Sequence, residues 1–142
     1  DGDLIIADAS EDYEGVGASI EVNNVGDRRI VAGLHTLLLR GNKDILADGF
    51  KAYITSMKPV RDALRRIATG ISVYGIAKSK LKDVEIPLLP IDEQRAIAEI
   101  LADMQLEIKE IEARCAKTKA IKKGMMQELL TGRTRLNYDS GD

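Results

Sequence analysis

Apolar residues recur along the second half of the chain at steps of four and three. They run Ile97, Leu101, Met104, Ile108, Ile111, Cys115, Thr118, Lys122, Met125, Leu129, with only Thr118 and Lys122 breaking the apolar rule. That spacing predicts one long helix with a heptad seam, the pattern of a helix packed lengthwise on another. At about 1.5 Å per residue the seam spans roughly 48 Å. A single helix cannot cover its own stripe, so the pattern calls for a second helix. The approach to it, Ile86-Pro87-Leu88-Leu89-Pro90-Ile91-Asp92-Glu93-Gln94-Arg95, is held extended by two prolines. Asp92 is predicted as the capping residue, with Ile91 as the apolar residue before the cap. Thr131-Gly132 marks the end, since glycine favours the position just past the last turn.

The first forty residues have a different period. Leu4–Ala7 is a short apolar run that suits a buried strand, and Ala18–Val22 alternates as a half-buried strand does. Arg29–Ala32 and Thr36–Leu39 suit strands on either side of Gly33-Leu34-His35. Ser10–Gly17, Asn23–Asp27 and Gly41–Asp44 read as turns or loops. Between 48 and 69, Phe50, Tyr53, Ile54, Met57, Val60, Leu64, Ile67 and Ala68 recur at helical spacing. Pro59 makes this two helices, or one that is broken there. Thr69–Lys80 reads as a glycine-bearing loop, and Leu81–Leu88 as a final strand. The predicted class is α+β: a small mixed sheet with short helices (1–90), one coiled-coil helix (91–132) and a flexible tail (133–142).

Composition narrows the function classes. With no tryptophan and one phenylalanine the core must be mainly aliphatic. No apolar run is long enough to cross a membrane, and the acidic N-terminus lacks the form of a secretory leader. The expected setting is cytoplasmic. Cys115 is the only cysteine, so it forms no internal disulfide, and on the seam it reads as a small hydrophobe. Charge is segregated: residues 1–27 carry eight acids and no Lys or Arg, whereas 51–82 carry eight bases and the single acid Asp62. The basic stretch suits either a phosphate-facing surface or a solvated face.

The chain lacks a catalytic kit. Its one histidine, His35, has no second histidine or cysteine with which to share a metal, and the glycines fit no nucleotide-binding fingerprint. A hydrolase built on His35 would lack any nucleophile motif. No cofactor and no metal are expected. Three loops carry groups suited to recognition: Ser10, Glu11, Asp12 and Tyr13; His35 with Thr36; and Ser72 with Tyr74 between two glycines. Acidic and hydroxyl side chains can read base edges in the major groove. Each loop alone equally suits turn chemistry, and His35 alone suits a satisfied, partly buried histidine.

The segment Ile86–Gln94, the heptad helix and the closing Leu129-Leu130-Thr131-Gly132-Arg133 together resemble the end of a type I restriction-modification specificity subunit. Leu89 stands where that family usually has proline. Gly2–Ile6, Ala32–Thr36 and Gly70–Ile76 are similar, more loosely, to inner strands and the glycine loop of the family's target recognition domain. The resemblance implies the C-terminal part of a recognition domain followed by a spacer helix. It implies a non-catalytic role: reading double-stranded DNA and directing a modification methyltransferase subunit and a restriction endonuclease subunit, with S-adenosylmethionine bound by the partner. It further implies a second spacer helix, from the same subunit or from a homodimer. On this basis Ser10, Glu11, Asp12, Tyr13, His35, Ser72 and Tyr74 are expected at bases or grooves, and Arg65, Arg66, Lys78 and Lys80 at phosphates. Ile97, Leu101, Met104, Ile108, Ile111, Cys115, Met125 and Leu129 are expected at the helix interface. The alternative is a coiled-coil interaction module, such as a half-subunit or an antirestriction decoy, that does not itself bind DNA.

Overall fold

A computed structural model of the chain describes residues 1–137. The last five residues of the predicted flexible tail lie outside it. The chain divides into two compact units, Asp1–Leu101 and Ala102–Asp142.

The first unit is α+β. Strand β1 (Leu4–Ala7) is the centre of an antiparallel sheet, flanked by β3 (Ser19–Glu21) and β4 (Thr36–Leu39). A two-stranded ribbon pairs β2 (Ala9–Ser10) with β5 (Tyr74–Gly75). Helices α1 (Lys51–Ile54), α2 (Lys58–Ile67) and α3 (Lys78–Leu81) complete the unit, together with the start of α4 (Ile91–Leu130). Period-two alternation explains the burial of β1: Leu4 and Ile6 face inward, while Ile5 shares the outer row with Ile20 and Leu38. Pro59 breaks the helical run as predicted. It lies in the first turn of α2, where its missing N–H costs nothing. The core joins Val16, Ala47, Phe50, Ile54, Val60, Leu64, Ile76 and Ala98. The last of these lies on α4, so the long helix is rooted in the unit's own core.

Two buried polar groups hold the loops. The Lys51 ammonium, almost wholly enclosed, donates to the Gly2 carbonyl at 2.8 Å and to Asp48, and lies 3.7 Å from Glu21. Glu21 accepts the Gly49 and Ala52 amides at 2.7 and 3.1 Å, which secures the chain entering α1. Hydrogen bonds from Lys43 and then Lys51 hold the Asp48 carboxyl below its ordinary range. Gln94, fully buried, accepts the Ala47 amide at 3.0 Å and donates to the Ile45 and Leu89 carbonyls at 2.9 and 2.8 Å. The glutamine at the helix entrance thus pins a distant loop and the proline segment to α4.

Four expectations need correction. Arg29–Ala32 is irregular, with Ile30 and Val31 exposed. A β-branched run forms a strand only with a partner, and Arg29–Ala32 pairs with neither sheet. Leu81–Leu88 is likewise not a strand. Leu81 closes α3, Val84 and Leu89 pack on the core at irregular spacing, and Pro87 cannot donate to a ladder. Thr69–Lys80 is more than a loop, since it contains β5 and enters α3. Asp92 lies inside α4 rather than at its cap: the helix starts at Ile91, and Asp92 accepts a hydrogen bond from Arg95 at 2.9 Å. With Glu93 it still favours the positive end of the helix dipole.

In the second unit, α4 continues without a break to Leu130. Gly132 takes φ +73°, and its amide reaches the Leu129 carbonyl at 3.2 Å, ending the helix where the sequence predicts.

Candidate nucleic-acid interface

The three recognition loops, far apart in sequence, meet at one end of the first unit. Ser10 stands opposite Tyr74 in the ribbon. The Tyr13 ring meets Tyr74 edge-on, with centroids 5.1 Å apart, and its hydroxyl donates to the Arg65 carbonyl at 2.8 Å. The His35 carbonyl accepts the Asp8 amide at 3.1 Å, and the Asp8 carbonyl accepts the Ile76 amide at 2.7 Å. Local turn chemistry shapes the first loop. Ser10 Oγ accepts the Asp12 amide at 3.3 Å, and Asp12 Oδ1 accepts the Gly15 amide. Glu11 and Ser72 are exposed.

Part of each candidate group is already engaged. Tyr13 spends its proton on Arg65, leaving its ring and its acceptor lone pairs. Ser10 keeps its hydroxyl proton, and Asp12 keeps its second oxygen. His35 is not the partly buried histidine that suits the sequence: its side chain is 68% exposed and its φ is +60°.

The basic stretch is thinner than its sequence count. Lys51 is buried, Lys58 pairs with Asp62 at 2.7 Å, and Arg65 pairs with Glu14 while its guanidinium lies 5.9 Å from the Tyr13 ring centre. Among the described residues Arg61, Arg66, Lys78, Lys80 and Lys82 enter no ion pair. Arg65 acts first as a bracket that ties α2 to the Ser10–Gly17 loop. Helix α3, which carries Lys78 and Lys80, packs on α2. These five cations, on α2, on α3 and just after it, are exposed and free to meet phosphate.

Gly70 is the loop position with the strictest backbone demand. Its φ is +145°, and a side-chain carbon there would run into the Val73 carbonyl. Gly70→Ala is therefore expected to unseat the Thr69–Gly75 turn and cost about 2 kcal/mol. Gly33→Ala, with open space around it, is expected to change stability by less than about 0.5 kcal/mol. Thermal unfolding of the two variants side by side checks this pair.

On α4 the stripe divides between two tasks. Gln94 and Ala98 are buried, and Ile97 packs on the core of the first unit. In the second unit Met104, Ile108, Ile111 and Met125 are about half exposed or more, and Cys115 is exposed. Leu101 and Leu129 are half-buried. Charge along this unit's helix is also divided: 102–112 hold four acids and one base, and 114–123 hold five bases and no acid. The described residues contain no helix long and apolar enough to cross a membrane and no cluster of metal-ligating side chains.

Sequence reasoning missed three groups. Asp8 counts in the sequence only as one of many N-terminal acids, Gln94 only as part of a motif, and Lys51 only as a surface base. Nothing local in the sequence distinguishes Asp8. Lys51 does fall on the helical stripe with Ile54, a sign that it faces inward.

No family model matches the chain. Over 103 residues, 72% of this chain and 24% of the relative, it is 32% identical to the type I restriction enzyme MjaX specificity subunit of Methanocaldococcus jannaschii. Over 107 residues, 75% and 24% respectively, it is 31% identical to the MjaVIII specificity subunit of the same organism. The chain spans about a quarter of the length of these curated relatives.

Proposed function

We propose, from the chain's homology to type I restriction enzyme specificity subunits, that it is a DNA-recognition segment of such a system. Residues 1–90 are the C-terminal part of a target recognition domain, and 91–132 are the spacer helix. The segment reads double-stranded DNA and directs the methyltransferase and endonuclease subunits, which carry the catalysis. The observation that carries this reading is the meeting of three separate loops in a unit whose helices α2 and α3 also carry unengaged cations. Ser10, Glu11, Asp12, Tyr13, His35, Ser72 and Tyr74 approach bases or grooves. Arg66, Lys78 and Lys80 hold phosphates, and Arg65 supports them through Glu14 and Tyr13. Phosphate contacts of this kind set register while the loops specify sequence.

The helix fits the same role. Its exposed seam suits a second helix, and the division into acidic and basic halves favours an antiparallel partner of similar sequence, since each acidic half then faces a basic one. A rod of that kind would separate two reading modules along a split target.

Arg66→Glu and Lys78→Glu test the phosphate assignment. Each is expected to weaken binding to every duplex sequence alike. Each should also make the plot of log affinity against log salt shallower by about one unit. Fluorescence anisotropy across a salt series measures both quantities. Affinity and slope equal to wild type in both variants would remove these residues from the interface.

A further inference from the structure

We propose that Asp8 is a positioning residue for His35. Its carboxylate takes the imidazole Nδ1–H and leaves Nε2 as an acceptor for the exocyclic amino group of adenine or cytosine. The base-reading half of this inference rests on the DNA-recognition reading above; the Asp8–His35 half does not.

Asp8 is where the three loops are tied. Its amide donates to His35, its carbonyl accepts from Ile76, and the residue after it opens the ribbon strand that faces Tyr74. Its side chain holds an anomaly. Oδ1 of Asp8 is out of reach of solvent and has no hydrogen-bond partner, alone among the buried side-chain polar atoms of the described residues. A buried carboxylate oxygen without a donor is costly, and native structures retain such a group where something else supplies the donor. The Nδ1 of His35 stands 3.7 Å away on a mainly exposed ring. That is roughly 0.5–1 Å longer than a hydrogen bond, a gap that the exposed ring closes in the proposed arrangement.

The backbone keeps His35 in place for this. Its left-handed conformation is uncommon outside glycine, and such conformations concentrate at functional sites. Two bonds hold the turn: the Asp8 amide to the His35 carbonyl at 3.1 Å, and the Thr36 hydroxyl to the Gly33 carbonyl at 2.7 Å. A neutral imidazole has one donor and one acceptor, and the partner of one nitrogen decides which is which. With Nδ1–H given to Asp8, the outward Nε2 can only accept. In the major groove the donors are the amino groups of adenine and cytosine.

His35 is the only histidine, so a long-range 1H–15N correlation spectrum at alkaline pH reports one ring. The expected wild-type spectrum is that of the Nδ1–H tautomer, with a change to the Nε2–H form in Asp8→Ala. Asp8→Ser, too short to reach, should give the same change if the alanine variant does not fold. An Nε2–H ring in the wild type, or no change on substitution, overturns the proposal without bearing on DNA binding. Selection from randomised duplex DNA then tests the base. Wild type is expected to prefer an amino-bearing base at one position about five- to tenfold, with His35→Ala and Asp8→Ala both levelling that position alone. Loss of affinity on all sequences alike in His35→Ala would make the ring a backbone contact and overturn the base assignment. A wild-type chain that binds no duplex would overturn the DNA reading and leave the tautomer result to decide the Asp8–His35 bond.

Discussion

Gln94→Leu is expected to cost the first unit about 4 kcal/mol. The side chain is fully enclosed, and leucine would leave the buried Ala47 amide and the partly buried Ile45 and Leu89 carbonyls without this partner. Each orphaned group costs about 1–3 kcal/mol. A small unit has only about 5–15 kcal/mol in all, so a large share of its stability hangs on one glutamine. Gln94→Glu separates shape from hydrogen bonding. It keeps the acceptor for Ala47, but an ionised carboxylate donates to neither carbonyl and carries a buried charge. Both variants should lower the midpoint of urea unfolding, with Gln94→Glu no better than Gln94→Leu at neutral pH. A midpoint shift worth less than about 1 kcal/mol in Gln94→Leu would mean that packing of Ile91, Ile97 and Ala98 alone roots the helix.

The second large effect belongs to the seam. Ile108→Asp combined with Ile111→Asp is expected to abolish association through α4 and leave the first unit folded, since both positions lie beyond Leu101. Burying an isoleucine side chain is worth about 1.5–3 kcal/mol. Two seams lose two each and gain buried acids, so affinity should fall by more than about a thousandfold. Light scattering across a concentration series measures this. The wild-type chain should approach twice its 15.6 kDa mass and the double variant should stay at one. A wild-type chain that is monomeric at every concentration would mean that the seam requires a helix of different sequence. Unchanged mass in the double variant would move association off the seam.

What the sequence disclosed, and what it hid, follows from how local each signal is. Leu4–Ala7, Thr36–Leu39, the Pro59 break and the Gly132 stop are local signals of propensity or backbone geometry, and they appear in the fold where expected. Ile30 and Val31 misled because β-branched composition alone does not secure pairing: the outer edges of β3 and β4 stay open, and this segment joins neither. Leu81, Val84 and Leu89 misled because burial against helices does not require regular spacing. At the candidate site, the loops are visible as clusters of polar groups and glycines, but their meeting is not. Ser10 and Tyr74 become neighbours through strand pairing across more than sixty residues. Charge counting failed in a particular way. Lys51 and Arg65 carry the same formal charge as Arg66, yet one is enclosed by Glu21 and Asp48, and the other is bound to Glu14. Only tertiary contacts separate a cation that faces solvent from one that is already spent.

Selection of bound sequences from a pool of randomised duplex DNA by the full chain decides whether it reads DNA. Enrichment of one fixed base pattern is expected, abolished together with binding by Arg66→Glu with Lys78→Glu. Enrichment of no pattern, or no retention of duplex at low salt, would contradict DNA recognition by this chain and leave it an interaction module built on its helix.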